Sequence, residues 1–201
     1  MNLPNKLTIM RIIFTIVLVF VLLFPFHLIG IDLIKWEITR KDQTIIINIK
    51  YIIAGLLFLV ASLTDYIDGY LARKLNLVTD TGKVLDAVAD KILVNSVLII
   101  LAGQGIIGPI IPVLIIGRDT VVDILKMLAG REVGAIPASS MGKWKTAVMM
   151  VSLTLILFNN LPFELYNLRV GMFLLTLATG LSLASGYEYY YNLKKVILKK
   201  V

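Results

Sequence analysis

Six apolar blocks separated by short polar stretches run through this chain, and their lengths constrain its fold more than any other feature. A helix needs roughly 20 apolar residues to cross a hydrocarbon layer of about 30 Å. The blocks at 12–30, 45–63, 92–101 with its flanks, 106–128, 147–161 and 170–185 meet that requirement. A helix satisfies its own backbone polar groups in lipid. The expected fold is therefore all-α: a polytopic membrane protein built as a bundle of six transmembrane helices, with residues 1–201 as a single domain because linkers are short and no repeat occurs. Composition agrees, at 58% hydrophobic and 16% charged with a mean hydropathy of +0.89; a soluble domain is about half apolar and a quarter charged. The first block is too long for a signal-peptide core and no small-residue cleavage site follows it, so it reads as a span. Residues 2–11 are expected to form an N-terminal interfacial segment.

The net charge of +7 is distributed in a way that argues for membrane topology rather than nucleic-acid binding. Lys6, Arg11, Arg73, Lys74, Lys83, Lys126, Arg131, Lys143, Lys145, Lys194, Lys195, Lys199 and Lys200 fall on one side of a six-span arrangement. Lys35, Arg40, Lys41, Lys50 and Arg169 fall on the other. The positive-inside rule makes the richer side cytoplasmic, with both termini there and the chain in the cell membrane. Tyr187, Tyr189, Tyr190 and Tyr191 read as an interfacial aromatic belt, and the tail lysines as contacts to anionic lipid headgroups. The chain has no cysteine, which excludes disulfides and thiol catalysis. Its one histidine, His27, stands near the far end of the first span and argues against a phosphohistidine intermediate.

The chemistry concentrates where the second span ends and the third begins. Asp65 and Asp68 are three apart; Gly82, Asp86 and Asp90 follow at steps of four after a short polar stretch at 76–81. Residues three or four apart share a helix face, and a short connection makes the two helices antiparallel neighbours, so the two carboxylate faces can meet. Four carboxylates near a bilayer cannot remain uncompensated, because an ionised group removed from water costs several kcal/mol. Hard oxygen donors suit Mg²⁺, Mn²⁺ or Ca²⁺, and two such ions suit a diphosphate substrate. Gly69 and Ala72 leave room for close approach to the backbone, Arg73 offers a guanidinium fork to phosphate, and Gly82 keeps the turn before Asp86 clear.

Asp65-x-x-Asp68-Gly69-x-x-Ala72-Arg73, eight residues, then Gly82-x-x-x-Asp86-x-x-x-Asp90 resembles the signature of the CDP-alcohol phosphatidyltransferase family at every fixed position. Pro4-Asn5-Lys6-Leu7-Thr8 with Arg11, Ala61-Ser62-Leu63-Thr64 and Gly142-Lys143-Trp144-Lys145-Thr146 extend the likeness over most of the chain. The chain departs from the usual pattern in having Asp86-Ala87 rather than Asp-Pro, and Gly117-Arg118-Asp119 rather than Ala-Arg-Glu.

The resemblance implies CDP-diacylglycerol as donor, glycerol 3-phosphate as acceptor and membrane lipids as surroundings, in a chain that forms a homodimer. It implies Asp65, Asp68, Asp86 and Asp90 as ligands of two divalent ions, Mg²⁺ or Mn²⁺, and Asp90 also as the general base. Asn5, Thr8, Gly69, Ala72, Arg73 and Gly82 would contact the CDP-lipid. A phosphorylated acceptor needs cations, for which Arg118 is the first candidate and Lys143 and Lys145 follow; the competing reading of Arg118 is a structural pair with Asp119 or Asp123. Other acceptors remain open at this stage: inositol phosphate, serine or phosphatidylglycerol. A carboxylate-lined ion transporter is a different class, but it favours a midplane site and inverted repeats, and neither is visible here.

Overall fold

The structure, a computed structural model, describes residues 3–30, 35–40, 43–74, 80–133, 136 and 139–198. Six α-helices carry the chain: α1 Leu3–Leu23, α2 Ile49–Lys74, α3 Asp80–Gly103, α4 Ile110–Val133, α5 Ser140–Leu157 and α6 Val170–Leu198. Two strands, β1 Lys35–Arg40 and β2 Gln43–Asn48, form an antiparallel hairpin between α1 and α2. The hairpin corrects the wholly helical expectation. It also moves the start of the second apolar helix, because Ile45, Ile46 and Ile47 pair in β2 with Ile38, Glu37 and Trp36 rather than opening a span. Three consecutive β-branched side chains favour a pleated strand over a helix.

Helix ends follow local chemistry. α1 stops two residues short of Pro25, which disfavours helical backbone in the residue before it. Gly105, at a φ of 73°, makes the turn after α3. Ser139 caps α5, its side chain accepting from the Gly142 amide at 3.2 Å. Asn167, left-handed at a φ of 57°, precedes α6. Residues 3–11, expected to lie separately along the interface, are continuous with α1. Thr8 and Arg11 point inward from it, 3% and 0% exposed.

α1 packs against α2 and α3, and α6 against α4 and α5, with α2 on α5 and α3 on α4 joining the two groups. Leu18, Phe58, Leu93, Leu98, Leu153 and Leu175 belong to one buried cluster at the centre. The outer faces are also apolar, with Ile16, Phe20, Val113 and Phe173 all exposed. Exposed apolar surface of this extent marks a partner or a membrane. Among the described residues one helical stretch, Val170–Lys194, is long and apolar enough to cross a membrane; Thr8–Leu23 and Ile49–Thr64 are shorter apolar helices. α3 and α4 carry charged residues well inside their length, Asp86, Asp90 and Lys91 in one and Arg118, Asp119 and Asp123 in the other, which dilutes their apolar character.

Candidate functional site

Asp86 and Asp90 stand one turn apart on α3. Asp86 Oδ1 accepts from Arg11 Nη1 at 2.9 Å, so α1 supplies a fully buried guanidinium to this end of the bundle. Gly82 lies one turn before Asp86. Asp65, Asp68, Gly69, Ala72 and Arg73 occupy the last turns of α2, where that helix gives way to α3. Their side chains, and that of Asn5, lie outside the described residues. Among the described residues no three metal-ligating side chains gather.

Asp90 lines a cavity of about 190 Å³ between α3, α4, α5 and α6. Arg118, Asp119 and Lys126 line it from α4, Lys145 from α5 and Tyr189 from α6. Asp119 is the hub. It accepts from Arg118 Nη1 at 2.7 Å and from Lys145 Nζ at 2.6 and 2.7 Å. Arg118 Nη2 donates to Ser185 Oγ on α6. Lys126 and Arg118 lie over the Tyr189 ring, 4.4 and 5.9 Å from its centroid, and the Ser139 amide donates to the Tyr189 hydroxyl at 2.6 Å. Lys91 pairs with Asp123 at the same cavity. The structural pairing of Arg118 with Asp119 is present, and Arg118 also lines the cavity beside Asp90.

Asp90 has Arg11, Asp86, Lys145 and Asp119 as its charged neighbours, and Lys145 is buried against Asp119. A desolvated carboxylate with a second carboxylate one turn away fits a hard divalent cation as its compensating charge.

Not every expected residue joins this cavity. Lys143 is exposed on α5 and does not line it. Positions two apart on a helix diverge by about 200°, so Lys143 and Lys145 cannot both face inward. Tyr189, expected in an interfacial belt, is 6% exposed and packs under two cations. The sequence marks Asp119 as a departure from the family pattern and a competing partner for Arg118, and gives Ser185, Lys126 and Tyr189 no part in the expected site. Ser182, Ser185 and Tyr189 recur at three and four residues along α6 and are all buried, and that spacing is the signal for a polar inward face.

Comparison with known proteins points the same way. The model of the family described as CDP-alcohol phosphatidyltransferase matches residues 1–184. A protein of Bacillus subtilis named CDP-diacylglycerol–glycerol-3-phosphate 3-phosphatidyltransferase is 35% identical over 189 residues, covering 94% of this chain and 93% of its own. A protein of Mycoplasma pneumoniae with the same name is 34% identical over 209 residues, covering 100% and 91%. One from Arabidopsis thaliana, bearing that name with the suffix 2, is 36% identical over 158 residues, covering 72% and 68%. With the aspartate signature on α2 and α3 and a match that spans most of its length, the chain belongs to the CDP-alcohol phosphatidyltransferase family.

Proposed function

We propose that this chain transfers the phosphatidyl group of CDP-diacylglycerol to glycerol 3-phosphate, releasing CMP and phosphatidylglycerophosphate. The carrying observation is the cavity beside Asp90, in which Asp119 holds Arg118 and Lys145 together. An acceptor that brings its own phosphate needs such cations; a neutral acceptor does not. The names of the relatives support the same acceptor.

Family members generally depend on a divalent metal. We infer Mg²⁺ or Mn²⁺, two ions, held by Asp65, Asp68, Asp86 and Asp90; bound there, they neutralise the diphosphate and the charge that develops on the leaving phosphate. The chain's own residues do the rest. Asn5, Thr8, Gly69, Ala72, Arg73 and Gly82 bind the CDP-lipid. Arg118 and Lys145 orient glycerol 3-phosphate by its phosphate, with Lys143 outside the cavity as flanking charge. Asp90 takes the proton of the acceptor hydroxyl. The freed oxygen attacks the lipid-side phosphorus, and the bond from that phosphorus to the CMP oxygen breaks, so CMP leaves with the electron pair. α1 to α6 each cross the membrane in this reading, and the positive-inside charge bias supports both termini and the site lying on the cytoplasmic side.

The test is CMP release by the purified chain given CDP-diacylglycerol, Mg²⁺ or Mn²⁺, and one acceptor at a time. Release with glycerol 3-phosphate is expected, and chelation of the metal should abolish it. No release with any acceptor would overturn the reading.

A further inference from the structure

Arg118 reaches from α4 across to α6, and what meets it there is unusually specific. Its Nη2 donates to Ser185 Oγ, whose own proton goes to the Ser182 carbonyl at 3.1 Å. Ser185 is fully buried, so its hydroxyl has one orientation and presents a lone pair to the guanidinium. The next residue is Gly186. A Cβ there would stand 2.9 Å from Arg118 Cγ and 3.1 Å from Nε. Cγ is near the root of the side chain rather than its flexible tip, so the whole arginine would have to move. Arg118 Nε is itself a buried donor with no partner among the described residues. Asp119 fixes the remaining arm through Nη1 at 2.7 Å. The guanidinium is thus held on two sides, through Nη1 and Nη2, with the Nε–H left without a partner among the described residues, in a residue that lines the cavity next to Asp90.

We propose that Ser185 and Gly186 are positioning residues for acceptor recognition: they form a seat on α6 that sets the Arg118 guanidinium for the phosphate of the incoming alcohol. The inference rests on the reading of Arg118 as an acceptor-phosphate ligand. It assigns to α6, which carries none of the signature aspartates, part of the choice between phosphorylated and neutral acceptors. Ser185 supplies the hydrogen bond and Gly186 the space, so the two act on one side chain by different means.

The experiment is steady-state kinetics of Ser185→Ala, Gly186→Ala and Arg118→Ala, alone and with each α6 change combined with Arg118→Ala. The KM for glycerol 3-phosphate should rise about tenfold in Ser185→Ala, as expected for losing one hydrogen bond to a charged group, and at least as much in Gly186→Ala. The KM for CDP-diacylglycerol should stay constant. In the Arg118→Ala background neither α6 change should add to the loss, because coupled residues are not additive; a merely structural role would persist there. Should Gly186→Ala not fold, Ser185→Ala decides. If Arg118→Ala raises the acceptor KM but Ser185→Ala leaves it unchanged, the seat is overturned while the function stands. An acceptor KM unmoved by Arg118→Ala overturns both the role of Arg118 and the seat. An equal rise in both substrates' KM, or a rise that survives in the Arg118→Ala background, also overturns the seat.

Discussion

Asp90 differs from the other described carboxylates in facing both the Arg11–Asp86 pair and the Arg118–Asp119–Lys145 cluster. In the proposed reaction this places Asp90 between the donor site and the acceptor cavity, where the acceptor's proton would be taken. Asp90→Asn keeps the size of the side chain and removes the base. Turnover is expected to fall by at least about 100-fold, within the range that a positioned general base contributes. Binding of the CDP-lipid should survive. Parallel assays of CMP release and of CDP-diacylglycerol binding check this, and retained turnover would remove Asp90 from the base role. At this scale the sequence was informative where residues act through fixed spacing. The steps of three and four among the aspartates are a local property, readable without a fold. The Asp119 hub is not local: it depends on α5 bringing Lys145 against α4, and no spacing along one helix reports that. The same holds for Tyr189, whose place under Lys126 requires α6 to cross α4 near the α5 N-cap.

α5 and α6 pack closely against each other at Gly171. Ser152 Oγ donates to the Gly171 carbonyl at 2.8 Å, and a Cβ on Gly171 would lie 2.9 Å from Ile156 Cγ1 and 3.4 Å from the Ile156 amide nitrogen. Gly171→Ala is therefore expected to force the helices apart and lower stability by about 1–3 kcal/mol, the usual cost of overpacking. Thermal unfolding in detergent measures it; an unchanged midpoint would mean that the contact has slack. Because Gly171 lies far along α6 from Ser185, acceptor KM should move little in the folded fraction. The helices themselves were legible as apolar blocks. Their boundaries were not, since β-branched isoleucines at 45–47 read equally as the start of a span or as a strand, and only pairing with Trp36, Glu37 and Ile38 decides. Nor does an apolar run reveal which of its faces is inward, because lipid and core make the same demand on a side chain.

On the scale of the molecule, the bundle has a charged end and an apolar girth. Asp86, Asp90, Arg118 and Lys145 gather where α3 and α5 begin. The β1–β2 hairpin and the turn after α5 sit at the other end, where Asn159 Nδ2 donates to the Ile46 carbonyl. Under the proposed arrangement of six spans with both termini cytoplasmic, the two ends would face opposite aqueous phases. The absence of native cysteine makes this directly measurable. A single cysteine replacing exposed Trp144 should react with a membrane-impermeant maleimide only from the cytoplasmic side, and one replacing exposed Leu168 only from the opposite side. Labelling of both from the same side would contradict the six-span arrangement. The family was legible from the aspartate signature alone. The acceptor, glycerol 3-phosphate, was legible only through the wider likeness along the chain, because the cations of α4 and α5 proposed to bind its phosphate meet only in the folded bundle.

The central claim is the identity of the product, and it is tested most directly by following the acceptor into lipid. Purified chain in detergent, supplied with CDP-diacylglycerol, a divalent metal and radiolabelled glycerol 3-phosphate, should move the label into a chloroform-soluble product whose mass is that of phosphatidylglycerophosphate, with CMP formed in equal amount. Label remaining wholly in the aqueous phase, while inositol phosphate, serine or phosphatidylglycerol is converted under the same conditions, would contradict the account.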